Sequence, residues 1–281
     1  MGLVDRDDGW RMPDWLWEKI EPLLPPPPEH PLRTHRKGLP KRQVMDAILL
    51  VLRTGMQWNA LDVTGVCNSS TAHRRFQEWE RAGVFHEIWR QGLLDYDDEV
   101  GIDWSWLAAD GAMTKAPLGG PKTGPNPTDR AKGGPKRSLL VEAAGIPIGL
   151  DHDGANRNDH KLLKGTLDSI PIERPEPTGV DPQGLCLDKA DDFPAVRDLL
   201  EDREFTPHVR TRGEEIDLKQ RNPDWRAHRW VVEACHSWLN RNRAILVRWS
   251  KKDENHLAFL QLASGMIAFK RAHAARVAAG L

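Results

Sequence analysis

With 281 residues, 39% of them hydrophobic and 29% charged, the chain is long enough for two modest domains and has the profile of an ordinary soluble protein. No apolar run approaches the roughly 18–20 residues that a spanning helix needs, and the acidic opening MGLVDRDDGW lacks the apolar stretch of a secretory signal. The net charge of −1 hides three basic stretches: residues 31–76 with eight Lys/Arg against Asp46 and Asp62, residues 115–137 with six against Asp129, and residues 241–252 with five and no acid. Acidic segments at 95–103 and 181–204 balance them in the sum, so the charge total does not exclude a polyanionic partner.

In chain order, Trp15, Leu16, Ile20, Leu23 and Leu24 recur at helical spacing and predict a short helix over 14–24, closed by the run Pro25–Pro28. Pro40 opens a second helix with Val44, Ile48, Val51 and Leu52 on one face. A third starts at Ser70 as N-cap, with Ala72, Phe76 and Trp79 inward, and Gly83 separates it from a fourth carrying Val84, Ile88 and Leu93. From about 104 the period changes. Trp104–Ala109 predicts a strand ending at Asp110, Ser138–Leu150 a hairpin, and Leu185–Leu187 a strand ending at Asp188. Helices are predicted over 159–167, 193–200, 228–243 and 254–273, with a strand at 206–209. The expected class is therefore α/β after a helical N-terminal part.

The chemistry-bearing residues are acidic. A carboxylate just past an apolar strand sits on a rigid element with its oxygens toward an open sheet edge, where such folds place ligands. Taken singly, Asp110 and Asp188 are explained as well by turn or cap chemistry, and Glu233 as an exposed residue paired with Arg229 one turn earlier. Together the three suggest oxygen-only ligation of a hard cation such as Mg²⁺.

Competing chemistry is weaker. The three cysteines, Cys67, Cys186 and Cys235, have no zinc-like spacing and fall in apolar stretches. No Gly-Lys-Ser/Thr ends the glycine-rich loop, so no phosphate-binding loop is expected. A Glu-x-x-His pair at Glu233 and His236 has no second copy, which argues against a di-iron site. Most of the twelve tryptophans, among them Trp15, Trp79, Trp230 and Trp238, are expected in the core, with Trp58 and Trp249 less so.

Longer motifs add a resemblance. The segments LRTGMQW (52–58), STAHRRFQEW (70–79), AADGAMTKA (108–116), GANRND (154–159), LCLDKADDFPAVRDLL (185–200) and RWVVEACHSWLNRNRAILVRW (229–249) resemble the DDE transposases of bacterial insertion sequences, in particular insertion-sequence family five. The resemblance implies an RNase H-like catalytic domain over 99–281, ending in a helix, behind a helix-turn-helix-like DNA-binding domain over 1–98. It implies Asp110, Asp188 and Glu233 as catalytic residues and as ligands of two Mg²⁺ ions, with Mn²⁺ able to substitute. The expected substrates are double-stranded terminal inverted repeats and target DNA, handled by a homodimer or larger assembly in the bacterial cytoplasm at the nucleoid. Arg74 and Arg75 are expected to contact bases. Phosphates are assigned to Lys41, Arg42 and Arg53, and further DNA contacts to Arg229, Arg241 and Arg243. Asp191, Arg226 and His256 stand where relatives usually have tyrosine. A metal-dependent nuclease of the same fold, or a DNA-binding protein without catalysis, remain as alternatives.

Overall fold

The computed structural model describes residues 10–26, 38–191, 193–208, 220–221 and 230–280. Four helices come first: α1 (Asp14–Ile20), α2 (Lys41–Thr54), α3 (Ser69–Arg81) and α4 (Val84–Glu99). The first is shorter than its apolar periodicity predicts, because Pro22 turns the chain into a single tight turn over Glu21–Leu23. Helix α2 stops at Gly55, whose left-handed φ of 67° lets its N–H reach Val51 O at 2.8 Å. A Cβ there would also lie 3.0 Å from the main chain of Arg243, so the Thr-Gly pair of the LRTG segment closes a helix and admits a distant strand of chain at once. Asn68, not Ser70, caps α3: its side chain accepts from the N–H groups of Ser70 and Thr71. Ser69 is held instead by Asp62, through its N–H at 2.7 Å and its hydroxyl at 2.8 Å.

The mixed sheet runs β4-β3-β1-β5-β6, built from β1 (Trp106–Met113), β3 (Gly133–Val141), β4 (Pro147–Gly154), β5 (Gly184–Cys186) and β6 (Thr206–His208), with the two-residue β2 (Gly124–Pro125) on the start of β3. Strands β3 and β4 form the expected hairpin, antiparallel to each other, and β3 is antiparallel to β1. The next two pairings, β1 with β5 and β5 with β6, are parallel. Gly145 turns the hairpin at φ 83°, and the buried Glu142 carboxylate satisfies the turn by accepting from the N–H groups of Ala144 and Ile146. Helices α5 (Asp159–Asp168), α6 (Pro194–Asp202), α7 (Trp230–Asn240), the short α8 (Arg243–Leu246) and α9 (Asp253–Ala278) complete the described chain.

The core is continuous from the N-terminal helices to the sheet, with Leu16, Ile48, Phe76, Trp89, Leu140, Leu185, Cys235 and Phe269 all in one apolar cluster. Helix α9 packs along α4, and the two backbones meet at a pair of glycines. A Cβ on Gly92 would sit 2.8 Å from Gly265 O, and one on Gly265 would sit 2.9 Å from Ile88 O. His256 lies on the buried side of α9, its ring 6.0 Å from that of His152 on β4. Trp79 is buried and Trp58 packs on Phe76, but Trp230 is 56% exposed. At the first turn of α7 the inward positions are taken by Val231 and Val232, which leaves the indole of Trp230 outside. No described helix is long and apolar enough to cross a membrane.

Candidate active site

Asp110 stands within β1, not at its end as the apolar run suggested. The strand continues to Met113 because its other edge keeps pairing with β3, Asp110 opposite Leu139 and Met113 opposite Lys136. The parallel edge behaves differently: β5 pairs with β1 only from Trp106/Gly184 to Ala108/Cys186. Asp110 therefore lies just where β1 loses its parallel neighbour. Two residues beyond the Ala108/Cys186 pair stand Asp110, still on β1, and Asp188, in the segment that follows β5, so both lie just past the end of the β1/β5 pairing. Both are partly exposed.

Behind Asp110 is a cleft of about 10 Å³, room for one water, lined by Asp110, Ser138, Asp159, His160, Leu163 and Leu187. Asp159 is the first residue of α5, where a carboxylate suits the positive end of the helix. Its Oδ2 accepts from Lys136 Nζ at 2.9 Å, and its Oδ1 is buried without a hydrogen-bond partner. Gly111 makes this possible: a Cβ there would lie 1.7 Å from Asp159 Oδ1. Asp110 is thus followed by the only residue small enough to admit a second carboxylate behind it.

Glu233 rides on α7, which packs against β1 and β3 through Val231, Val232, Cys235, His236 and Leu239 while Glu233 itself is exposed. Burial fixes the helix through His236. Arg137 of β3 donates from Nε to His236 Nδ1 at 3.0 Å, and its Nη2 reaches His236 O at 3.2 Å and Asn240 Oδ1 at 2.8 Å. Burial, with the Arg137 charge second, pushes the His236 pKa down to about 3, while the main chain of Asp110 is the neighbour that favours its proton. The ring is therefore neutral, with Nδ1 as acceptor. It is engaged in holding the helix, in keeping with its dismissal as a metal ligand. Among the described residues, no three His, Cys, Asp or Glu side chains are grouped closely enough to hold a metal ion. The structure puts Asp110 and Asp188 just past the end of the β1/β5 pairing and Glu233 on the neighbouring helix.

The basic residues divide by burial. Arg137 and Arg248, counted in the sequence as surface charge, are among the largest fully buried side chains. Arg248 donates to the carbonyls of Pro121, Ser250 and Lys251 and so staples the 117–122 loop to the segment before α9. Lys136 is spent on Asp159. Of the residues expected to contact DNA, Arg42 is ion-paired to Asp14 and donates to Met12 O, and Lys41 donates to Leu24 O. Arg75 is paired to Glu78 at 2.7 Å. Arg74 is the open one on α3, 63% exposed with Glu78 at 3.8 Å. Arg241 and Arg243 are exposed beyond α7, and Arg53 is half-buried at the end of α2. Arg229 and Arg226 lie outside the described residues, and so do the Pro27–Pro28 end of the proline run and the segment 209–219.

Sequence reasoning missed Asp159, Arg137 and the inward His236. Asp159 was within reach, since it closes the GANRND segment already noticed. For Arg137, a cation in a basic stretch carried no sign of burial.

Two family models match the chain: "Putative transposase of IS4/5 family" over residues 12–89 and "Transposase DDE domain" over residues 105–265. Among curated relatives from Burkholderia cepacia, the "Putative transposase for insertion sequence element IS402" is 34% identical over 158 residues, 53% of this chain and 69% of that one. The "Insertion element IS402 uncharacterized 16.2 kDa protein" is 38% identical over 119 residues, 41% of this chain and 79% of that one. Among solved structures, the Mos1 strand transfer complex covers 86% of this chain and 82% of its own at 11% identity and a TM-score of 0.28.

Proposed function

The chain belongs to the DDE transposases of insertion sequences, with the family's mixed sheet and flanking helices, and from that premise we propose that it cuts the ends of its own element and joins them to new DNA. The observation that supports the reading is the parallel β1/β5 pairing, which ends two residues before Asp110 on one side and two before Asp188 on the other. All the donors are carboxylate oxygens, the set that hard divalent cations select, with Glu233 on α7 as the third ligand. Bound there, two Mg²⁺ or Mn²⁺ ions would activate the attacking hydroxyl and stabilise the leaving oxygen of an in-line displacement at phosphorus.

The chain's own residues do the positioning. Asp110 is held on β1, and Asp188, two residues past β5, is anchored by accepting from the Ala190 N–H at 2.9 Å. Arg137 and His236 fix α7 against that sheet, and Lys136 neutralises Asp159 behind Asp110, which limits repulsion among the acids. The first step is hydrolysis at the element end; the second is attack of the freed 3′-hydroxyl on target DNA, both at this one site. Terminal inverted repeats are read by the helical part, residues 1–98, with α3 as recognition helix and Arg74 as its base contact. Arg75, Lys41, Arg42 and Arg243 supply flanking contacts, Arg229 supports the Glu233 carboxylate, and residues 99–281 form the catalytic unit. Two element ends imply a homodimer or larger assembly, acting at the nucleoid in the cytoplasm.

A strand-transfer assay with labelled 3′-hydroxyl end DNA tests the reading. Joined product is expected with Mg²⁺ or Mn²⁺, and Asp110→Asn, Asp188→Asn and Glu233→Gln should each abolish cleavage and joining without unfolding the protein. Cleavage without joined product identifies a nuclease instead. Unchanged activity in Asp188→Asn rejects the assignment of the acids.

A further inference from the structure

A second concave feature of the described surface lies away from the acids. A cavity of about 330 Å³ lies where the end of α2, the end of α7 and the middle of α9 meet. Its lining includes Arg53, Arg241, Lys270 and Arg271, and no Asp or Glu. Trp238 forms one wall, with the Arg271 guanidinium 5.0 Å over its ring. Arg53 Nε is buried without a hydrogen-bond partner. Lys270 is held below the usual lysine range, by burial first and by the Arg53 charge second. Arg53 is half-buried and Arg241, Lys270 and Arg271 are exposed, so four like charges crowd one open concavity whose lining holds no described carboxylate. The end of α7 supplies at most about half a negative charge, far short of four cations.

We propose that this cavity is a binding site for backbone phosphate of DNA, entered by the strand that runs from the acidic site across α7. The proposal deepens the transposase reading and rests on it for the identity of the polyanion. The site's placement fits one strand crossing both. Trp238 is five residues beyond Glu233, about 7.5 Å along the helix axis at 1.5 Å per residue. Five residues also turn about 140° around the helix at 100° per residue, so a strand reaching both must cross α7 and not run straight along it. Because α2 contributes Arg53 and α9 contributes Lys270 and Arg271, the grip joins the helical part of the chain to the catalytic part.

The test is fluorescence-monitored binding of a labelled duplex of arbitrary sequence, without divalent cation, across a salt series. Backbone contacts carry no sequence information and appear as the slope of affinity against salt. Lys270→Gln and Arg241→Gln should each weaken binding and reduce that slope by about one. Lys270→Glu supplies an internal anion, so it should raise the melting temperature of the DNA-free protein while weakening DNA binding further. Purely structural cations would not move those two readouts in opposite directions. Affinity and slope equal to wild type in both charge-neutralised variants, with the fold intact by circular dichroism, overturn the proposal. So does inorganic phosphate stabilising wild type but not Lys270→Gln at matched ionic strength while DNA binding is equal, for the site then takes a free ion. Loss of slope with no strand joining by the wild type would keep the pocket and reject the catalytic reading instead.

Discussion

Arg137 on β3 and His236 on α7 are joined by a 3.0 Å hydrogen bond from Nε to Nδ1, which ties the strand beside Asp110 to the helix that carries Glu233. The guanidinium is fully buried and burial lowers its pKa to about 10, still well above neutrality, so it keeps its charge at pH 7. Arg137→Met keeps the volume and removes three hydrogen bonds, leaving His236 Nδ1 and Asn240 Oδ1 without their donor. A loss of about 2–4 kcal/mol in urea denaturation is expected. Strand joining should fall beyond what the unfolded fraction explains. A loss under about 1 kcal/mol would mean that the apolar side of α7 seats the helix without it.

Gly111→Ala should be costly for a local reason. The new methyl would meet Asp159 Oδ1 at 1.7 Å, so Asp159 must leave Lys136 or β1 must shift under Asp110. Either outcome costs about 1–3 kcal/mol and disturbs Asp110. The comparison substitution is Asp159→Asn, which keeps the shape and weakens the bond to Lys136. It should lower activity with a much smaller change in stability, read by thermal melting and end cleavage on the same preparations.

Stability should fall in mild acid. Burial pushes His152 down to about 4 and His236 down to about 3, and holds His256 well below its ordinary value. The neighbours of the His152–His256 pair are Arg248 and Lys122, which disfavour the proton, and Asp253 and Asp153, which favour it. In the unfolded chain these rings titrate near 6.5, so between that value and the folded ones the unfolded state binds more protons. The stabilisation is therefore complete above about pH 6.5 and is lost as pH falls toward 4 and then 3. Urea midpoints should drop between about pH 7 and pH 5, and His152→Gln should flatten that dependence. A midpoint indifferent to pH over that span would mean that the rings are protonated in the fold.

Much of this was legible before any coordinates. Helices α2 to α4 followed from apolar periodicity, and the β3–β4 hairpin from two apolar runs around Gly145. Both aspartates were found because apolar strands lead into them. What stayed hidden depends on partners far away in sequence. Asp110 was placed at a strand end because nothing local reveals that β3 continues to pair with β1 as far as Met113. Arg137 and Arg248 look like solvent-facing cations in basic segments, and only tertiary packing buries them. Trp230 went the other way, since an indole at a helix start gives no sign of which side the following valines will take.

Gly92 and Gly265 let α4 and α9 approach more closely than any side chain would allow. Gly265→Val would place branched carbon against Ile88 O and its side chain, already 2.9–3.0 Å from a bare Cβ. Separation of the helices, with a loss of about 3 kcal/mol or more, should follow. The expected signature in native-state hydrogen exchange is faster exchange over both α4 and α9. Slow exchange over α4 in that variant would show that the N-terminal helices are held without their C-terminal partner.

That crossing also sets a timetable for the newborn polypeptide. The apolar side of 84–99 has its main partner in 253–278, so it stays uncovered on the ribosome until that later segment has emerged. At about 5–20 residues per second, the wait is on the order of ten to thirty seconds. The same holds for the phosphate pocket, in which Arg53 must wait for Lys270 and Arg271. A chain interrupted before residue 253 would lack both the closed helix pair and the complete set of four cations.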